Sequence, residues 1–529
     1  AIGYEAGKAV TTGVQNTIIG GLAGDALTTG GYNNLIGLQA GSALTTGNSN
    51  VAIGVNALLT EDTGSRSIAI GEGALQLQNN DASNYNIAIG HSAGNIISTG
   101  TANTLIGGLA GNALTTGSSN TVLGYDALST EDAHGTNTAI GYQSLKAQDA
   151  GANAYNVAVG FQSGLAVTTA SETTLIGSLA GDSLTTGLGN TALGFKTLSS
   201  ATTGNYNVAV GARAMESGIT TGDNNVAIGR YAGYAMTTGA QNTLIGGLAG
   251  DALTTGTFNV AVGYEALSSE DTGTRSVAIG WSALKLQNYD GEAFNVAIGH
   301  SAGAAVTAGI KNVLIGGLAG DALQEGTGNV AVGYRSLSSE NAHGKNVAIG
   351  YDSLRDLDAG QDGLNTAIGY EAGKVMSTGV QNTLIGGLAG VAITTGANNT
   401  VLGYNALQGT TVGSDNIALG KDALELNVNG SASIAIGSLA LEDQAPSGTG
   451  NVYNIAIGHH AGKEITTGVQ NTLIGGLAGD ALTTGSNNVA IGQEALSTED
   501  GDGRNIAIGT SALKVQNAGA DAYNIAIGY

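Results

Sequence analysis

A glycine returns at nearly fixed intervals along the chain, and each time it ends a phrase such as Asn-Val-Ala-Ile-Gly or Asn-Thr-Leu-Ile-Gly. It occurs 31 times, and 23 of the 30 intervals are 17 residues long. Five intervals are 19 residues, one is 18 and one is 21. A short fixed period is typical of a stack of similar coils, in which each coil contacts only its neighbours. The sequence therefore predicts a solenoid.

The repeat also bounds the domain organisation. It covers all 529 residues without a linker or a charged block, which predicts one continuous repeat domain at residues 1–529. Aromatic residues make up only 4% of the chain and glycine contributes 89 residues, so we expect a thin interior of small side chains. Both termini fall inside a coil, and we expect the chain to be part of a longer fibrous protein.

Charge and composition argue against several partners. The formal net charge is −23 with only 17 Lys and Arg residues, which argues against nucleic acid and against anionic membrane surfaces. Cysteine is absent, so the chain offers no thiolate metal site and no disulfide. No apolar run reaches the roughly 18 residues of a membrane span. We expect no catalytic residues, no cofactor and no metal.

One coil, from Asn16 to Asn33, shows the predicted architecture. Thr17-Ile18-Ile19 forms a short strand that ends at Gly20, and a second, outer segment runs from Gly21 to Leu27. Two short extended segments joined by glycine-containing turns indicate a flattened parallel β-roll. The fold class is therefore all-β, with about 31 coils. The 19-residue intervals usually recur every fourth coil, which adds a super-repeat of about 70 residues.

Two columns of the repeat are interpreted as structural. The repeat glycine is expected where the backbone adopts a positive φ or passes too close to a neighbour for a Cβ atom. The residue four positions earlier is Asn in 26 of 30 coils, and its side-chain amide is expected to bond along the stack. Representative residues of the two columns are Gly20, Gly37, Gly54, Gly246 and Gly263, and Asn16, Asn33, Asn50, Asn242 and Asn259.

The strands are apolar on both faces. The residue before the glycine is Ile, Val or Leu in all 31 coils, and the middle strand residue is Ala or Leu almost throughout. Alternate strand residues point to opposite faces, so both faces are expected to be buried. One chain can cover only one of them, which predicts a homo-oligomer.

The phrase Asn-Val-Ala-Ile-Gly followed by x-x-Ala, a Thr-Gly or Ser-Gly turn and another Asn resembles the head repeat of YadA-type trimeric autotransporter adhesins. The resemblance extends over the whole chain, for example at 225–229 and 346–350, although the coils here are a few residues longer. It implies a left-handed parallel β-roll that assembles as a homotrimer. Similar repeats occur in bacteriophage tail fibres. The resemblance therefore implies an extracellular, cell-surface or virion location.

Other candidate sites are interpreted conservatively. Acidic pairs such as Glu61-Asp62 are read as solvated turn charge rather than Ca²⁺ ligands, because successive pairs lie at least four coils apart. His91, His300 and His459 lack convergent partners for metal binding or catalysis. Tyrosines that follow the glycine are candidate contacts for a host glycan or receptor, or else caps of the outer turn. They are Tyr4, Tyr125, Tyr264 and Tyr370.

These observations predict a non-enzymatic shaft or head of an extracellular trimeric fibre, either a cell-surface adhesin or a phage tail fibre. One alternative is a structural subunit that polymerises end to end. A weaker alternative is an ice-binding solenoid, because Thr-Thr-Gly turns recur at Thr28-Thr29 and Thr237-Thr238. That array is interrupted in typically two coils of every four.

Overall fold

A computed structural model describes residues 1–501 and 503–529. The chain is an all-β, parallel β-solenoid of about 30 turns with a spacing of about 17 residues, and the described part contains no helix. It divides into two compact units, Ala1–Asn259 and Val260–Tyr529, which we call the N-terminal and C-terminal units.

Each strand is three residues long. The N-terminal unit contains β1 (Thr17–Ile19), β2 (Asn34–Ile36), β3 (Val51–Ile53), β4 (Ile68–Ile70), β5 (Ile87–Ile89), β6 (Thr104–Ile106), β7 (Thr121–Leu123), β8 (Thr138–Ile140), β9 (Val157–Val159), β10 (Thr174–Ile176), β11 (Thr191–Leu193), β12 (Val208–Val210), β13 (Val226–Ile228) and β14 (Thr243–Ile245). The C-terminal unit contains β15 (Val260–Val262), β16 (Val277–Ile279), β17 (Val296–Ile298), β18 (Val313–Ile315), β19 (Val330–Val332), β20 (Val347–Ile349), β21 (Thr366–Ile368), β22 (Thr383–Ile385), β23 (Thr400–Leu402), β24 (Ile417–Leu419), β25 (Ile434–Ile436), β26 (Ile455–Ile457), β27 (Thr472–Ile474), β28 (Val489–Ile491), β29 (Ile506–Ile508) and β30 (Ile525–Ile527). The first predicted coil contributes only an isolated bridge between Ile2 and Ile19.

Within each unit, every strand pairs in parallel with the next strand along the chain. The register is position for position, so that Ala192 lies beside Ala209 and Ala261 lies beside Ala278. The 19-residue and 21-residue intervals keep this register, as the pairing of Ala435 with Ala456 shows. The extra residues are therefore accommodated outside the strands.

The interior face of the sheet is formed by the middle strand residue. Leu175, Ala192 and Leu314 are completely buried at this position. The residue three positions after the repeat glycine is also buried, as at Ala180 and Ala319. These small side chains allow the outer segment to approach the sheet closely, which is why the core is thin.

The outer segment differs from the prediction of a second extended segment. Residues 21–26 form consecutive turns rather than a strand. Leu22 has a φ of 56° and Gly24 a φ of 49°, and equivalent left-handed residues recur through the repeat. The prediction of a second strand was wrong because two left-handed residues per coil curl the backbone, which an extended segment cannot do.

The repeat glycines lie where no other residue fits. Gly20, Gly37, Gly54, Gly246 and Gly263 have φ values between 135° and 141°. A Cβ atom at Gly37 would lie 2.4 Å from the carbonyl oxygen of Gly54 in the next coil. Because the obstacle is backbone of the adjacent coil, it cannot rotate away as a side chain can.

The column of asparagines forms a hydrogen-bond ladder inside the stack. The Asn33 side chain is completely buried, and its Nδ2 donates to the carbonyl oxygen of Gly47 at 2.9 Å. The backbone N–H of Asn50 donates to Asn33 Oδ1 at 2.9 Å. Asn16, Asn242 and Asn259 take part in the same pattern, in which each Oδ1 accepts from the next coil. Each amide thereby satisfies backbone groups of two coils.

The coils are of two kinds, which differ in how they fill the core. In Ala-Gly coils, glycine follows the small residue and a large apolar residue lies three positions later, as in Ala110-Gly111 with Leu114. In Ala-Leu coils, leucine follows it and the later position is usually polar, as in Ala57-Leu58 with Glu61. A Cβ at Gly111 would lie 2.8 Å from the Leu114 side chain, so the two positions compete for one space.

The polar residues of the Ala-Leu coils form a buried network. Gln78 Nε2 donates to Glu61 Oε2 at 2.9 Å and to Ser67 Oγ at 2.8 Å. Gln78 Oε1 accepts from Asn86 Nδ2 at 2.8 Å. Ser67 occupies the position at which most coils have the ladder asparagine, and the Gln78 side chain connects Ser67 to Asn86 in its place. Gln287 bonds to Ser276, and Gln444 to Ser433, in the same way.

Candidate interaction surface

The outward face of the strands is an apolar stripe. The first and third strand residues lie on this face, and only the second points into the core. Leu193 is 46% exposed and Leu402 is 51% exposed. The column before the glycine therefore does not line the interior of the chain. Instead, Ile, Leu and Val side chains stand beside one another on the outer surface of every coil in each unit. We call this set of first and third strand residues the strand stripe; its third position is always Ile, Val or Leu, and its first position is Thr or Asn in 12 of the 30 strands.

Aromatic residues extend the strand stripe on one side. The position directly after the repeat glycine carries rings that stack along the coil column, with centroids 5.8 Å apart for Tyr125 and Tyr142 and 5.4 Å apart for Tyr142 and Phe161. In the C-terminal unit, Tyr351 stacks on both Tyr334 and Tyr370 at 5.5 Å. Aromatic pairs of this kind add about 0.5–1.5 kcal/mol beyond their area burial.

The four tyrosines singled out from the sequence lie in this column. Tyr4, Tyr125, Tyr264 and Tyr370 are exposed, from 48% at Tyr264 to 75% at Tyr4. Gly108 lies beneath the Tyr125 ring, because a Cβ there would be 3.4 Å from a ring carbon. One face of Tyr125 therefore covers glycine and the other stacks on Tyr142. A sugar could reach the edge of this ring but could not stack on its faces.

Aromatic residues before the ladder asparagine form a second column, paired with arginine. The Arg66 Nη1 atom donates to the Tyr85 hydroxyl at 2.7 Å, and its guanidinium lies 5.4 Å from the ring centroid. Arg275 lies over Phe294 and Arg504 over Tyr523 in the same way. These cation–π pairs join successive coils at the surface.

The threonine turns are not a uniform hydroxyl array. The first threonine of each turn donates to the next coil, as Thr28 Oγ1 does to the Thr45 carbonyl at 3.1 Å. The second, such as Thr29, is exposed. Half of the hydroxyls that an ice-binding surface would offer are therefore already hydrogen-bonded within the stack.

The interpretation of the acidic pairs as solvated turn charge was wrong for their glutamates. Glu61, Glu131, Glu270, Glu340 and Glu499 are completely buried, whereas the residue that follows each of them is at least partly exposed. Glu61 Oε1 accepts the backbone N–H of Gly64 at 2.7 Å, which holds the turn closed. Burial raises the pKa of Glu61, Glu270 and Glu340, although hydrogen bonds to the carboxylates oppose the shift.

Two histidines that were not singled out from the sequence lie beside these buried glutamates. His134 Nδ1 is 3.4 Å from Glu131 Oε1, and His343 Nδ1 is 3.6 Å from Glu340 Oε1. His300 stacks on Trp281, and His459 stacks on His460. The signal in the sequence was the spacing Glu-x-x-His, which occurs where the coils of Glu61 and Glu270 have Glu-x-x-Gly.

A membrane-crossing helix is absent from the part of the chain that the structure describes. No protein-family model matches this chain, and no curated protein matches it significantly.

Proposed function

We propose that this chain is the shaft or head of an extracellular fibre, in which three copies pack their strand stripes around a common axis and act in attachment or as a rigid spacer. The observation that carries the proposal is the unbroken column of Ile, Val and Leu at the third strand position within each unit. Contiguous apolar surface of this extent is rare on monomeric proteins and marks an interface.

A second copy of the same chain fits the strand stripe especially well. Its side chains recur with the same coil spacing, so ridges and grooves match along the whole length of contact. The formal charge of −23 resides elsewhere on the surface, because the strand residues carry no charged side chain. That charge keeps assembled fibres apart in solution. Repeated surface residues then present weak contacts many times, and avidity replaces single-site affinity.

Sedimentation equilibrium tests the assembly. The expected mass is three times the 51.9 kDa of one chain, and a single-chain mass would contradict the proposal. Open-ended polymers in electron micrographs would favour the end-to-end filament instead.

A charge variant ties the assembly to the stripe. I176E/L193E places two carboxylates on the exposed face of adjacent strands and is expected to abolish the trimer. T186E/T203E adds the same charge to exposed turns of the same two coils and is expected to remain trimeric. If both variants assemble equally well, the strand stripe is not the interface.

A further inference from the structure

Two Ala-Leu coils carry a histidine, where two others carry a glycine, at the turn that the buried glutamate closes. Gly64 and Gly273 follow their glutamates by three residues, and each donates its backbone N–H to the glutamate Oε1. In the two histidine-carrying coils, His134 and His343 stand at this position and make the same backbone bond at 3.1 Å. A Cβ atom at Gly64 would lie 2.4 Å from Glu61 Oε1. A side chain at this position is therefore directed at the carboxylate.

The histidine nitrogen that faces the glutamate has no hydrogen-bond partner. The Nδ1 atoms of His134 and His343 are both buried, and each is unpaired. Their distances to glutamate Oε1, 3.4 and 3.6 Å, are longer than an N–H···O bond of about 2.7–3.2 Å. In a tetrahedral Zn²⁺ site whose ligands lie about 2.1 Å from the metal, two ligand atoms are about 3.4 Å apart, and the two observed distances match this separation.

A third ligand lies within reach at both places. Asp132 joins Glu131 and His134, and Asp358 joins Glu340 and His343, with the ligand atoms of each group within 4.8 Å of one another. In the second group the aspartate comes from the following coil. An ion there would link two coils. The aspartates are exposed, and His343 is 31% exposed, so an ion could enter from solvent.

The charge balance also lacks a cation. Among the described residues, neither Glu131 nor Glu340 is paired with Lys or Arg. Glu131 Oε2 accepts from Gln148 Nε2 at 3.3 Å, a longer bond than the 2.9 Å from Gln78 Nε2 to Glu61 Oε2. Leu357 occupies the position equivalent to Gln78 in the coil after Glu340, so this glutamate lacks that donor.

We propose that each of these two groups, Glu131 with Asp132 and His134, and Glu340 with His343 and Asp358, binds one divalent transition-metal ion, with Zn²⁺ as the best fit. One imidazole nitrogen and two carboxylates are ligands that Zn²⁺ accepts in tetrahedral geometry, and water completes the site. Ca²⁺ and Mg²⁺ fit less well because they prefer oxygen ligands alone. The ion neutralises the buried carboxylate and strengthens the two coils against local opening.

Titration of the chelator-treated full chain with ZnCl₂ in a calorimeter tests the proposal. The expected result is two ions per chain and a higher melting temperature with Zn²⁺. H343G is expected to bind one ion and H134G/H343G none. Glycine is the residue that equivalent coils already carry, so both variants are expected to fold. H91G, at an exposed histidine outside the two groups, is expected to bind two.

A second pair of changes separates ligand loss from misfolding. D132N/D358N alters only exposed carboxylates and is expected to weaken Zn²⁺ binding at least tenfold, with an unchanged circular dichroism spectrum. Fewer than two ions per wild-type chain, or two ions retained by H134G/H343G, would overturn the proposal.

Discussion

The Ala-Gly coils and the Ala-Leu coils fill the same cross-section in opposite ways. Gly111 leaves room that Leu114 takes, whereas Leu58 takes that room and leaves a polar pocket for Glu61. The first solution is apolar and needs no partners. The second buries a carboxylate, which must then be satisfied by Gly64 and Gln78. The comparison shows that one backbone repeat accepts two cores when volume is conserved.

The repeat glycine is common to both kinds of coil, and we expect its substitution to cause the largest loss of stability. G333A places a Cβ 2.4 Å from the Gly350 carbonyl oxygen, at a φ of 138°. We expect the free energy of unfolding to fall by about 4 kcal/mol or more, because neither backbone segment can move without breaking the hydrogen bonds between the coils. G328A is the matched control, since its Cβ would meet nothing within 4 Å and its cost is about 1 kcal/mol. Urea unfolding measures both, and equal losses would show that φ alone requires glycine.

Both kinds of coil also share the asparagine ladder, and we expect its disruption to cause the second-largest loss of stability. N190A removes the donor to the Gly204 carbonyl and the acceptor for the Asn207 N–H. Each of the two groups left unpaired costs about 1–3 kcal/mol, so we expect a loss of about 2–6 kcal/mol. A control at an exposed asparagine outside the ladder, N288A, is expected to cost less than 1 kcal/mol. A melting temperature of N190A equal to that of N288A would rule out the ladder as a source of stability.

Replacing the core residues of an Ala-Gly coil by those of an Ala-Leu coil tests whether the two positions compete for one space. G111L in an Ala-Gly coil is expected to cost about 1–3 kcal/mol, because the new side chain collides with Leu114. L114Q alone buries an unpaired amide where Leu114 is completely buried. The double variant G111L/L114Q rebuilds an Ala-Leu coil and should be more stable than the sum of the two losses predicts. Simple additivity in the double-mutant cycle would mean that the two positions do not compete.

The smallest expected effect is a change in how the free energy of unfolding depends on pH. Burial raises the pKa of Glu61 above the ordinary value of 4.5. Its contribution to stability is therefore complete below about pH 4.5 and is lost as the pH rises through the raised value. E61Q is expected to have a shallower decline of unfolding free energy between pH 4 and pH 8 than the parent chain. An unchanged slope in E61Q would contradict the prediction.

Much of the fold could be predicted because the same residue pattern recurs in every coil. The strand, its closing glycine and the asparagine four positions earlier each occupy one column, and a parallel in-register stack is the arrangement that keeps such columns together. The outer segment could not be read in this way. Its left-handed residues, such as Leu22 and Leu58, are not residue types that signal a positive φ.

The candidate site was only partly visible in the sequence. The apolar strand residues indicated two buried faces, but which face lies inside the chain depends on where the outer segment packs. The structure places Ala192 inside and Leu193 outside. Similarly, Glu61-Asp62 reads as a charged turn, because adjacent acidic residues are usually solvated. The backbone instead directs the first carboxylate inward and the second outward.

The sequence by itself determined the period, the parallel register and the positions reserved for glycine and asparagine. These follow from short-range rules that act identically in every coil. Only the tertiary structure decided which side chains share a space: Gly111 with Leu114, Glu61 with Gln78, and His343 with Glu340 and Asp358. Such neighbours meet across a turn or across adjacent coils, and their distances depend on how the backbone curls between them.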